Sequence, residues 1–354
     1  MRVALIGLPK SGKSTVFSAV TGVAVDPFAP PEPRQAIVPV PDPRLAYLTT
    51  LARPKKVIEA TMEFVDVPGC SLDDAHGRDL WRRVLPAVRQ SEALAVVARD
   101  FRNDAVPAYR DRIDPQADVL ATWDELIFAD LDTVTTRIGR LEASLKKPTK
   151  SHEAEKRELT LLQRCREVLE AEQPLSTAIT CDAERRQLAS FAFLTEKPLV
   201  CIVNVSEDRA AEPVPFEVPH AVDTIAISAS IEAELARLED QERSAFMADF
   251  GIEVTARDRV IRSCYAAAGM ISFLTMGPDE VRAWSVPKGS TAVEAAGRIH
   301  TDLARGFIRA ETVAYDDLVA HQDEKGARAA GRVRQEGKGY VVQDGDVMTI
   351  LANA

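Results

Sequence analysis

Long apolar runs are missing from this 354-residue chain: nowhere do 18 apolar residues stand together, so no membrane-spanning helix is expected. Met1-Arg2 leads straight into an apolar strand, which leaves no room for a signal peptide, and a cytoplasmic location is expected. Cysteine is scarce and scattered. Cys70, Cys165, Cys181, Cys201 and Cys264 form no C-x-x-C pair, which predicts free thiols in a reducing compartment rather than a disulfide framework or a zinc site. Positive charge is in deficit, with 44 Lys and Arg against 54 Asp and Glu. A net charge of −10 excludes wholesale wrapping of nucleic acid, and no DNA partner is expected. The deficit lies entirely in the first 280 residues, because residues 281–354 carry ten basic and ten acidic side chains. A neutral C-terminal unit with local arginines is free to approach RNA where the rest would be repelled. The length predicts two or three domains, and apolar content is ample for their cores.

What is present begins at the N-terminus. Gly7-Leu-Pro-Lys10-Ser11-Gly12-Lys13-Ser14-Thr15 has the G-x-x-x-x-G-K-S pattern of a phosphate-binding loop. The pattern is short enough to arise by chance, so its flanks decide. Val3 to Ile6 read as a buried strand, and Ser14 to Val20 read as a helix that Gly22 ends. Strand, glycine-rich loop and helix together turn backbone N–H groups and a helix N-terminus toward a polyphosphate. In such a loop Lys13 reaches the β- and γ-phosphates and the Ser14 hydroxyl takes a site on Mg²⁺. The pattern predicts a nucleoside triphosphate as ligand.

A second element follows. Met62-Glu63-Phe64-Val65-Asp66-Val67-Pro68-Gly69 is an apolar strand ending in Asp-x-x-Gly. Asp66 is placed to hold Mg²⁺ through its water shell, and the Gly69 N–H to sense a γ-phosphate. Leu94 to Ala98 and Leu199 to Val203 are apolar on both faces, as strands of a parallel sheet must be. The latter runs into Asn204-Val205-Ser206-Glu207, and Ile225 to Ile227 run into Ser228-Ala229. Guanine-reading proteins place Asn-Lys-x-Asp and Ser-Ala at these two spots. Here Val205 replaces the lysine, and Glu207 is one methylene longer than the aspartate that pairs with guanine, so guanine selectivity is expected to be lost.

Between the sheet halves the period changes. Ile127, Leu131, Val134, Ile138, Leu141 and Leu145 follow a 4-3 spacing, a coiled-coil seam. Lys146-Lys147-Pro148-Thr149-Lys150 breaks it, and a second helix carries Leu161, Cys165 and Val168 on one face before Pro174. This predicts an inserted helical hairpin. Its basic tip is either a contact to an acidic partner such as ribosomal RNA or a solvated turn.

With these pieces assembled, the chain resembles the YchF or Obg-like ATPase family over nearly its whole length. Val38 to Leu45 and Thr61 to Asp66 look like family segments, and Asn204-x-x-Glu207 is similar to its altered base-reading motif. The C-terminal strings Glu280 to Trp284, Ala296 to Asp302, Gly306 to Ala310 and Gly345 to Met348 look like its ubiquitin-like TGS-type module, in which His300 would be a fold residue. The resemblance implies an α/β architecture of three parts. These are a P-loop NTPase domain with a parallel sheet (residues 1–118 and 196–270), a coiled-coil hairpin (119–195) and a β-grasp domain (271–354). It also implies ATP as ligand with GTP possible, Mg²⁺, and a cytosolic, ribosome-associated protein; the sequence does not give the oligomeric state, and a monomer is favoured. Catalysis would rest on Lys13, Asp66 and Gly69. The nucleotide would be held by Gly7, Lys10, Ser11, Gly12, Lys13, Ser14, Thr15, Asn204, Val205, Glu207, Ser228 and Ala229, and the metal by Ser14 and Asp66.

Three departures from the family pattern bear on mechanism. The family carries Asn-Val at Lys10-Ser11, and that Asn belongs to a monovalent-cation site in related GTPases. Lys10 either puts its ammonium where the cation would sit, removing potassium dependence, or points to solvent. The family threonine that closes over Mg²⁺ and the γ-phosphate aligns with Pro30, which offers neither hydroxyl nor N–H. Phe28-Ala29-Pro30-Pro31-Glu32-Pro33 reads instead as a stiff polyproline-like segment. After Gly69, a glycine-rich run is replaced by Cys70-Ser71-Leu72-Asp73-Asp74-Ala75-His76-Gly77. A family histidine proposed as catalytic falls on Ala108, which leaves His76 and Asp74 as candidates for orienting water. Two activities stay open: slow hydrolysis coupled to ribosome binding, and a nucleotide-stabilised module that acts by recognising the ribosome or a protein.

Overall fold

The computed structural model describes residues 1–353 except 25, 27–29, 72, 147–151, 211, 237 and 250–253, and only the backbone of 240, 244, 248 and 249. Phe28 and Ala29 of the proline-rich segment, Leu72, and Lys147 to Lys150 of the basic tip therefore lie outside the described residues. The chain forms two compact units, Met1–Ala36 with Glu63–Val260, and Ile37–Met62 with Ile261–Ala354. The described strands are β1 (Arg2–Ile6), β2 (Arg34–Pro39), β3 (Lys56–Ile58), β4 (Thr61–Asp66), β5 (Ala93–Asp100) and β6 (Leu199–Val205). They continue with β7 (Ala221–Ile227), β8 (Met270–Met276), β9 (Glu280–Pro287), β10 (Phe307–Ala314), β11 (Arg334–Glu336) and β12 (Asp346–Ala352).

One six-stranded sheet has the order β2-β4-β1-β5-β6-β7, with parallel pairing from β4 through β7. Its central strands are buried on both faces, β6 at every residue, which is why they read as unbroken apolar runs. Five helices matter for the site and its support: α1 (Lys13–Thr21), α2 (Arg44–Ala52), α3 (Ala75–Arg89), α4 (Pro115–Ser144) and α5 (His152–Glu170). Helix α1 stops at Gly22, whose φ of 75° lets its N–H reach back to the Ser18 carbonyl. Helix α4 is set by Asp114, which accepts the Ala117 N–H as N-cap, with Pro115 in the first turn. Its seam residues Ile127, Val134, Ile138 and Leu141 are buried against Leu161, Leu162 and Cys165 of α5, and this hairpin core is continuous with the core under the sheet. Asp130 of α4, fully buried, accepts the Leu194 and Thr195 N–H groups and pairs with Arg89 of α3 at 3.1 Å.

The second sheet has the order β11-β10-β12-β8-β9-β3. It is antiparallel except where β12 meets β8 and β3 meets β9. The helix Ala292–Ile299, held by a Thr291–Glu294 capping box, covers one face through Ala292, Ala295 and Ala296 against Phe273, Phe307 and Met348. A mixed sheet crossed by a helix after its first hairpin is a β-grasp arrangement. Helix α2 and strand β3 belong to this unit, whereas the sequence reading places them in the P-loop domain with the rest of residues 1–118; the short β3 joins the second sheet by pairing with β9.

Candidate nucleotide site

Gly7 leaves β1 with φ 145°, and a Cβ there would stand 2.5 Å from the Val97 carbonyl oxygen. Only glycine fits so close to a neighbouring strand. Lys10 takes the left-handed conformation at φ 62°, and so does Gly12 at φ 81°, where α1 begins. No side chain caps that N-terminus, so its first N–H groups stay available to a ligand. Lys13 in the first turn is buried. Burial lowers its pKa, while the charge of the Asp66 carboxylate acts in the opposite direction.

The loop and Asp-x-x-Gly meet in a single cleft of ≈ 850 Å³, lined by Lys10, Gly12, Lys13, Ser14, Asp66 and Gly69 among others. The Ser14 hydroxyl donates to Asp66 Oδ2 at 2.8 Å. Asp66 Oδ1 is buried with no hydrogen-bond partner. A hydroxyl bound to a carboxylate that keeps one oxygen free is a hard-oxygen donor set that fits a magnesium ion. Gly69 approaches so closely that a Cβ would lie 3.2 Å from Lys13 Nζ. Pro30 and Pro31, both exposed, line the same cleft, as do Arg34 and Val106.

Asn204 is 4% exposed and joins two segments. Its Nδ2 donates to the Ser11 carbonyl at 3.3 Å, and its Oδ1 accepts the Ala229 N–H at 3.2 Å. The loop, the end of β6 and the Ser228-Ala229 turn are thereby held together. Val205 is buried and Glu207 exposed at the start of a short 3₁₀ turn, and neither lines the cleft.

The segment after Gly69 is tied down. Cys70 is buried and its thiol donates to the Pro68 carbonyl. Burial pushes the thiol up to about 11, with Lys13 and Arg83 opposing, so it is not a thiolate near neutrality. Asp73 accepts two bonds from Arg110, at 2.5 and 3.1 Å, and one from the Tyr109 hydroxyl at 2.5 Å. These donors hold its pKa down to about 2. Arg110 and Asp111 are both left-handed, at φ 57° and 51°. Asp74 is the N-cap of α3, accepting the Gly77 N–H at 2.7 Å, and His76 is exposed. Neither Asp74 nor His76 lines the cleft.

Arg99, which sequence reasoning missed, lies under the loop and donates to the Lys10 carbonyl at 3.3 Å. Its only sequence signal is a cation near the end of an apolar strand.

Comparison with known proteins agrees with this geometry. Residues 2–129 match a family described as 50S ribosome-binding GTPase, and residues 270–353 match the YchF GTPase C-terminal family, described as a protein of unknown function (DUF933). The chain is 40% identical over 361 residues to the ribosome-binding ATPase YchF of Haemophilus ducreyi, covering 99% of this chain and 98% of the relative. It is 38% identical to the proteins of that name from Escherichia coli O157:H7 and Bacillus subtilis, at the same coverage. The structure of the Schizosaccharomyces pombe YchF GTPase superposes with a TM-score of 0.84 at 28% identity, covering 99% of this chain and 97% of that one.

Proposed function

The chain belongs to the YchF family, and on that premise we propose that it binds ATP, with GTP as a weaker or equal competitor, hydrolyses it slowly, and couples the bound state to the ribosome. The observation that carries the reading is the convergence in one cleft of an uncapped helix N-terminus, a buried lysine and a serine–aspartate pair with an unused oxygen. Ser14 and Asp66 would hold Mg²⁺, which when bound neutralises charge on the β- and γ-phosphates. Lys13 places its ammonium at the same oxygens, and Gly69 offers its N–H to the γ-phosphate. In hydrolysis a water oxygen bonds to the γ-phosphorus as the bond to the β–γ bridging oxygen breaks. Lys13 stabilises the charge left on that oxygen. Asn204 sets the height of the base relative to the loop, and Glu207 and Val205 remove the reason to prefer guanine. The ribosome is the partner carried by the names of the relatives, and the neutral C-terminal unit does not oppose RNA.

A second reading has its own support. Pro30 in the cleft wall has no hydroxyl or N–H for the γ-phosphate, and Asp74 is already committed to capping α3. Both favour a module that keeps its nucleotide as a stabilising ligand. Single-turnover assays with ATP and GTP, with and without potassium and ribosomes, separate the two. Release of phosphate above buffer under any of these conditions supports hydrolysis. Tight binding with no release under all of them leaves the module. Loss of ribosome cosedimentation on truncating residues 276–354, with nucleotide binding intact, is expected if the C-terminal unit makes the contact.

A further inference from the structure

Arg99, the next-to-last residue of β5, lies directly opposite Asn204 of β6 in the parallel ladder. The residue is only 4% exposed, yet it also forms part of the wall of an open polar hollow of ≈ 900 Å³ shared with Asp104, Asp111 and Asp208. Nε donates to the Phe101 carbonyl at 3.1 Å, Nη1 to the Lys10 carbonyl at 3.3 Å and Nη2 to the Val106 carbonyl at 2.9 Å. The guanidinium carbon lies 4.4 Å from the centre of the Phe101 ring. Among the described residues no carboxylate forms an ion pair with it, and the adjacent Asp100 is taken by Arg209 at 2.8 Å. Desolvation lowers the Arg99 pKa, and no anion acts against it. A buried cation without a counter-ion is an unfavourable arrangement that a fold keeps only when something else compensates.

The compensation is visible in what Arg99 holds. Lys10 is a left-handed residue with a side chain, and its carbonyl is fixed by Arg99. The next carbonyl, of Ser11, is fixed by Asn204. Each carbonyl shares a peptide unit with the following N–H, so donation into Lys10 O and Ser11 O strengthens the Ser11 and Gly12 N–H groups as donors. Two facing residues on neighbouring strands thus polarise two consecutive amides of the phosphate loop. Val106, the third partner, lines the cleft.

We propose that Arg99 is a positioning residue of the triphosphate site: it locks Lys10, polarises the loop amides, and sets a positive charge behind the loop that favours a bound polyphosphate. This rests on the phosphate-loop reading above. The test uses the full-length protein and its Lys13→Ala, Arg99→Gln and Arg99→Lys variants, titrated calorimetrically with Mg²⁺-ATP and with pyrophosphate at several salt concentrations. Binding by the parent that does not depend on Lys13 removes the loop reading and this inference with it. With Lys13 dependence in place, Arg99→Gln is expected to weaken both ligands by about 10- to 100-fold and to make binding less salt-sensitive. Arg99→Lys is expected to restore the salt dependence and part of the affinity. Unchanged pyrophosphate affinity in Arg99→Gln overturns the inference. So does an equal loss in both variants with unaltered salt dependence, the mark of a merely structural role. If Arg99→Gln does not fold, Arg99→Lys decides: affinity reduced several-fold with parental salt dependence is expected, and parental affinity or a weakened salt dependence refutes it.

Discussion

Replacing Gly12 by alanine probes the clamp that joins the phosphate loop to the base-side strands. At φ 81° an alanine costs about 1–2 kcal/mol in left-handed strain. Its Cβ would also overlap Asn204 Nδ2, so the Asn204 side chain must leave its place. The Ser11 carbonyl and the Ala229 N–H then lose their partner, each at about 1–3 kcal/mol for a group left buried. The expected cost of Gly12→Ala is therefore about 3–8 kcal/mol, and that of Asn204→Ala alone about 2–6 kcal/mol. The double variant loses the clamp only once. It should be no less stable than Gly12→Ala by itself, giving a coupling of about 2–6 kcal/mol. Urea unfolding of the nucleotide-free proteins measures the cycle. Costs that add to within about 0.5 kcal/mol would refute the clamp.

Other expectations follow from the same geometry. Burial holds the Lys13 pKa below its ordinary 10.5, and bound polyphosphate favours the protonated lysine. ATP affinity should thus be level below the free protein's lowered value and fall as pH climbs from there toward 10.5. A proton should be taken up on binding in that window, measurable by calorimetry in buffers of different ionisation enthalpy; affinity level through the whole range contradicts it. Asp73 stays charged down to about pH 2, so its bonds to Arg110 and Tyr109 persist at all physiological pH values. Asp73→Asn should speed hydrogen exchange around Ser71 and Asp74 while leaving the urea midpoint in place, and unchanged exchange would show that Asp73 restrains nothing. Restoring Val205→Lys with Glu207→Asp should raise the GTP-to-ATP affinity ratio about tenfold or more. A constant ratio in competition binding would remove Glu207 from base choice.

Much of this site is legible locally. Gly7, Gly12 and Gly22 announce their backbone conformations, and the strand–loop–helix order gives Lys13 and Ser14 their roles. The coiled-coil seam of α4 and α5 likewise reads directly from its spacing. What is illegible depends on register between distant strands. Arg99 reaches the loop only because β1, β5 and β6 lie side by side, and nothing in Ala98-Arg99-Asp100 says which carbonyl the guanidinium will meet. Strand β3 has three residues, none of them buried, and exists by pairing with β9. No period can show in so short a run. The commitment of Asp74 to a helix cap is visible as Asp74-Ala75-His76-Gly77 preceding an amphipathic helix.

The Gly7–Thr15 loop with Asp66 forms the triphosphate site on which the proposed function rests. Calorimetric titration of the purified protein with Mg²⁺-ATP, beside Lys13→Ala, tests it most directly. One-to-one binding by the parent is expected, with a loss of at least about 100-fold in the variant, as for removing a charged partner of the phosphates. Equal affinity in the two proteins, or no binding by the parent, would contradict it.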